Sequence, residues 1–143
     1  MLNQPGEENN VQSLLYKGMV FYQKGKYDEA LTLFDKILNQ PGEENNVQSL
    51  LYKGMVFYQK GKYDEALTLF DKILNQPGAE NNVQSLLYKG MVFYQKGKYD
   101  EALTLFDKIL NQPGAENNVQ SLLYKGILKR ENMMKPLLYS IKY

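Results

Sequence analysis

Apolar residues near the start of the chain recur at helical spacing. Val11, Leu14, Gly18 and Phe21 share one face, and Leu15, Met19 and Tyr22 form a second stripe beside it. A helix apolar around so much of its circumference must touch partners on more than one side. The spacing predicts a helix from Val11 to Lys24, with Asn9 or Asn10 supplying the N-cap oxygen and Gly25 the left-handed position that ends it. A single stripe follows, made of Tyr27, Ala30, Leu31, Phe34, Ile37 and Leu38, and it predicts a second helix from Tyr27 to Leu38. Asp28 and Glu29 lie in its first turn and Lys36 near its last, which suits the helix dipole. Asn39-Gln40-Pro41-Gly42 stops it, because proline cannot continue the backbone hydrogen bonding. Only Lys24 to Lys26 separate the helices, so they are antiparallel neighbours.

The whole pattern then repeats. Asn-Gln-Pro-Gly begins at Asn3, Asn39, Asn75 and Asn111, a period of 36 residues. Residues 3–38, 39–74 and 75–110 differ at one place, where Glu7 and Glu43 give way to Ala79. Interchangeable units imply near-identical surroundings, as in a linear stack with one repeated interface. Such identity points to recent duplication or to deliberate design. The reading divides the chain into a lead-in (1–10), three repeats (11–46, 47–82 and 83–118), a C-terminal capping helix (119–135) and an apolar tail (136–143). Val119, Leu122, Leu123, Gly126 and Ile127 continue the first-helix stripe, with Met133 or Met134 extending it. Gln120, Lys125, Lys129, Arg130, Glu131 and Asn132 are polar, which suits the solvating cap that a solenoid needs. Pro136 is expected to end this helix near Met134, and residues 137–143 to dock on the last hairpin or in a neighbour's groove.

Composition removes several functions. Lys plus Arg is 17 and Asp plus Glu is 16, a balance that exerts no long-range pull on nucleic acid or an anionic membrane. Cysteine and histidine are both absent, so thiolate metal sites, disulfides and the commonest general base are missing. The N-terminus has neither the basic nor the apolar segment of a signal peptide, and no apolar run approaches the length of a membrane span. A cytoplasmic protein is the expectation. No cofactor or metal is expected.

The units resemble the tetratricopeptide repeat. Gly18-x2-Phe21, Gly25-Lys-Tyr27-Asp-Glu-Ala30 and Ala30-x3-Phe34 carry the likeness, and it recurs at Gly54, Phe57, Ala66 and Phe70 and at Gly90, Phe93, Ala102 and Phe106. It covers about residues 9–126. Leu14 stands where the family often has Trp, Lys17 where it usually has Leu, and the loop after the second helix is longer. The resemblance implies an all-α, right-handed α-solenoid of three helix-turn-helix hairpins plus a terminal helix. Pentatricopeptide repeats, which bind RNA, share the second-helix type. The spacing of Gly18 and Gly25 and the near-neutral charge argue against them.

In the tetratricopeptide family the first helices line a concave face. Carried over, those positions are Gln12, Leu15, Met19, Tyr22 and Gln23, then Gln48, Leu51, Met55, Tyr58 and Gln59, then Gln84, Leu87, Met91, Tyr94 and Gln95. They imply a groove for a peptide or protein segment with apolar side chains, since Met adapts to irregular partners and Tyr offers a broad surface with a polar tip. Leu15 and Met19 stand where many family members grip a C-terminal carboxylate with Lys and Asn, and an apolar surface cannot repay the desolvation of that group. Lys17, Lys24, Lys26, Asp28, Glu29 and Asp35 read as solvated. Three equal copies of such a surface provide no unique catalytic constellation, so an enzyme is not expected. The second functional class is a self-assembling repeat scaffold without a dedicated ligand. The first hairpin is identical to interior ones and so exposes a surface made to receive another.

Overall fold

Both predicted helices form in every repeat of the computed structural model, which describes residues 10–114 and 118–142 and, in the latter stretch, the side chains of 118–130. The described helices are α1 (Val11–Gln23), α2 (Tyr27–Leu38), α3 (Val47–Gln59), α4 (Tyr63–Leu74), α5 (Val83–Gln95), α6 (Tyr99–Leu110) and α7 (Val119–Lys142). They fall into two compact units, Met1–Ser85 and Leu86–Tyr143. Among the described residues there is no strand, so the fold class is all-α, as the sequence pattern implies.

The caps are chemical. Asn10 caps α1, its Oδ1 accepting the Ser13 backbone N–H at 2.9 Å, and Asn46 and Asn118 repeat the bond with Ser49 and Ser121. At the other end of α1 the Lys26 N–H reaches the Phe21 carbonyl and the Gly25 N–H the Tyr22 carbonyl, the paired bonds of a Schellman turn. Gly25 holds φ +74°, a backbone state that a side chain would strain.

Each hairpin closes on a phenylalanine. A Cβ at Gly18 would lie 2.5 Å from Phe34 Cε1, and Gly54 and Gly90 meet Phe70 and Phe106 in the same way at 2.6 Å. These rings are fully buried. In the first unit α3 packs against α2, with the Phe34 ring stacked on Tyr52 at 5.6 Å and Tyr22 edge-on to Tyr52 at 5.7 Å. In the second unit α7 packs against α6 with the same contacts, Phe106 on Tyr124 at 5.2 Å and Tyr94 against Tyr124 at 5.4 Å.

The recurring charges do more than face solvent. Lys53 Nζ lies 2.7 Å from Asp35 Oδ1 and Lys60 Nζ 2.7 Å from Asp28 Oδ1, both across the α2–α3 contact. Lys125 meets Asp107 in the same way at 2.8 Å. Lys53 is the copy of Lys17, the position where a leucine is usual. Its stem lies half-buried and its ammonium sits 6.0 Å over the Phe57 ring, so the lysine covers apolar surface and still reaches a carboxylate.

The C-terminal helix departs from expectation in its length. It does not stop near Met134 but runs through Pro136 to Lys142. Met133 occupies the register of Gly25, so the left-handed turn is missing, while Pro136 removes only its own N–H from the ladder. The polar residues expected on its outer face, Gln120, Lys125, Lys129 and Arg130, are exposed, and Leu122 and Leu123 are exposed beside them at 46% and 58%. Among the described residues no second-type helix covers them, as α2 covers Leu14. The docking expected of residues 137–143 lies outside the described side chains.

Two glycines in one register should respond oppositely to alanine. Gly54→Ala forces a Cβ into the enclosed Phe70 ring. Overpacking of about 1–3 kcal/mol should outweigh the helix-propensity gain of up to about 1 kcal/mol and lower the urea midpoint. At Gly126 nothing lies within 4 Å, so Gly126→Ala should raise the midpoint by the equivalent of roughly 0.5–1 kcal/mol. Equal responses would disprove the packing account.

The Asp28 carboxyl is held below its ordinary value of 3.8, first by the hydrogen bond from Lys60 and then by that ammonium's charge. A lowered folded-state value means that the contribution is complete above the unfolded pKa and lost as pH falls through the folded one, a window below about pH 4. The group is exposed, so the effect on stability is small. An NMR titration should place the Asp28 midpoint below 3.8, and Lys60→Met should move it back upward.

Candidate protein-binding surface

The first-helix stripe divides by burial into three kinds of position. Gln12, Gln23, Gln48, Gln59, Gln84 and Gln95 are exposed. Met19, Tyr22, Leu51, Met55, Tyr58, Met91 and Tyr94 are half-buried. Leu15 and Leu87 are buried, at 8% and 1% exposure, and offer a ligand almost no area. Leu15 belongs to the core with Leu14, Phe34 and Val56.

The tyrosines of this stripe are already engaged. Tyr22 meets Tyr27 at 5.6 Å as well as Tyr52, and Tyr94 meets Tyr99 at 5.7 Å as well as Tyr124. They brace the first hairpin against α3 and the third against α7. On the neighbouring helices α1 and α3 this leaves Met19 and Met55 among exposed glutamines. Thioether side chains adapt their shape to a partner, and each glutamine amide can both donate to and accept from a peptide backbone.

A second surface lies at the end of the first unit. Tyr16 and Val20 are 57% and 53% exposed, whereas Val56, the copy of Val20, is fully buried and Tyr52 is half-buried under α2. A groove of about 370 Å³ is lined there by Tyr16, Met19, Val20, Gln23 and Lys24. Sequence reasoning located an uncapped end but named neither Tyr16 nor Val20. The signal was present, since the two stand at i and i+4 on a third apolar stripe. Met19 and Gln23 border both surfaces.

Among the described residues, no cluster of carboxylates is placed to hold a metal, and no helix is long and apolar enough to cross a membrane.

Among solved structures the chain is similar to the Yersinia enterocolitica type III secretion translocator chaperone SycD (alternative dimer). The TM-score is 0.72 at 18% sequence identity, over 90% of this chain and 98% of that one. At that identity the likeness is one of fold. No curated protein matches the chain. The model of the family described as anaphase-promoting complex, cyclosome, subunit 3 matches residues 23–109, more than half of the chain and all of its second repeat, so the chain belongs to that family through the tetratricopeptide-type hairpin it repeats.

Proposed function

We propose that this chain is a protein-interaction scaffold whose first-helix face holds an extended or helical peptide segment. The observation that carries the reading is the pair Met19 and Met55, half-buried on neighbouring helices and bordered by exposed Gln12, Gln23, Gln48 and Gln59. Such a surface suits a segment with a few apolar side chains and an accessible backbone. Apolar contact supplies most of the free energy, and the amides set orientation. The buried leucines behind the methionines make the surface stiff, which lowers the entropic cost of binding.

The comparisons support a role in association. The family description names a subunit of a complex, and the similar structure is that of a chaperone. Nothing about the surface calls for catalysis, because its groups recur unchanged in each repeat.

Selection of a displayed peptide library on the full chain tests this. Enriched peptides should carry apolar or aromatic residues, and Met55→Glu should weaken their binding by roughly tenfold or more while Met55→Leu retains it. Helical content must be unchanged in both variants. Enrichment that ignores Met55→Glu would refute the assignment of the face.

A further inference from the structure

We propose that the α1 end of the chain is a docking site for one acidic amphipathic helix supplied by a partner, with an aspartate followed six residues later by a Phe-Asp pair. This surface adjoins the peptide-binding face at Met19 and Gln23 but does not include Met55.

The chain contains a filled example of the site. On α3, Tyr52, Lys53, Val56 and Lys60 are covered by α2. The Phe34 ring lies on Tyr52, Val56 is fully buried, and Asp35 and Asp28 take Lys53 and Lys60 at 2.7 Å each. The two ion pairs define the register. Ammonium groups seven positions apart on α3 meet carboxylates seven positions apart on α2, with the helices running in opposite directions. Helix α1 carries the same set at the same spacing, as Tyr16, Lys17, Val20 and Lys24. Here the tyrosine and the valine are more than half exposed and a groove lies between them, lined also by the stem of Lys24. Among the described residues, Lys17 and Lys24 have no carboxylate such as Lys53 and Lys60 have. An aromatic side chain and two carboxylates are what this surface lacks, and a helix of the α2 type supplies all three.

A second copy of the chain supplies them poorly. Helices α2 and α6 already spend that face on α3 and α7, and Asp64, Phe70 and Asp71 of α4 are each engaged as well. Residues 119–130 of α7 contain neither phenylalanine nor a carboxylate. The occupant is therefore a helix of this chemistry from another polypeptide.

The probe is a fluorescein-labelled peptide of the α2 sequence, residues 27–38. It is cross-linked between the positions of Thr32 and Lys36, which face solvent in the hairpin, so that it is helical before binding. Fluorescence anisotropy with the full chain should give a dissociation constant on the order of 100 µM or tighter. Val20→Asp should weaken binding by roughly tenfold or more, and Lys17→Glu with Lys24→Glu by roughly fivefold. A peptide with lysine at both aspartate positions should bind the charge-reversed protein better than the original peptide does. All three protein substitutions fall at exposed positions, so folding should survive them. Met55→Glu should leave this binding unchanged, which separates it from the peptide-binding face.

Absence of binding at millimolar concentration would overturn the proposal. So would binding that ignores Val20→Asp and falls with Leu122→Asp, since the peptide would then sit on α7. A molar mass that rises with concentration and returns to the monomer with Val20→Asp would make a second copy the occupant and would also overturn it.

Discussion

The ring of Phe34 lies between a glycine of its own hairpin and a tyrosine of the next. On one side it fills the space that a Cβ of Gly18 would need, and on the other it stacks on Tyr52. One side chain therefore sets both how closely α1 and α2 cross and where α3 rests. Phe106 does the same between Gly90 and Tyr124. The ring is fully buried and cannot shift without disturbing both contacts. The ion pairs that cross the α2–α3 contact are partly exposed and contribute little to stability. Their effect is on register, because a slipped helix would leave ammonium and carboxylate groups apart.

Identical sequences in this chain occupy unequal settings. Ser13 is exposed, but Ser49, Ser85 and Ser121 are buried with no hydrogen-bond partner for their hydroxyls. A buried unsatisfied hydroxyl costs free energy that an alanine would not. Divergence would ordinarily remove that cost in interior copies and keep serine where it is harmless. Near-perfect repetition prevents the separation. Tyr16 and Val20 carry the opposite cost. They are suited to an interior contact and stand exposed at the end of a unit.

What was legible in the sequence was local. The helices, the Asn10 cap, the Gly25 turn and the close approach at Gly18 follow from spacing and residue size, which act over a few positions. The candidate surface was legible only in part. Two adjoining apolar stripes on α1 show that the helix has several partners, but not which stripe faces which. Leu15 and Leu87 lie buried while the glutamines of the same carried-over set are exposed, a division that spacing alone does not reveal. The copies of Lys17 and Lys24 read as solvated because their carboxylate partners are distant in sequence: Asp28 and Lys60, the copy of Lys24, lie 32 residues apart. For α7, the informative residue was Met133 in the glycine register rather than Pro136, since a helix that lacks its left-handed turn has no reason to reverse.

The two ends of the array make related demands. On α1 the open face is the one that, on α3, meets the preceding second helix through Tyr52 and Val56. On α7 that face is filled, with Leu128 fully buried and Tyr124 on Phe106. The open face of α7 is instead the one that a first helix turns to its own second helix, around Leu122, Leu123 and Gly126. Both faces thus suit a helix of the second type. Head-to-tail stacking of copies would set α7 against α1, two helices of the first type, and neither would bring the phenylalanine that Gly126 and Tyr16 are spaced to receive. A helix of the second type suits both faces instead, because its ring can fill the glycine notch at Gly126 or lie on the tyrosine at Tyr16.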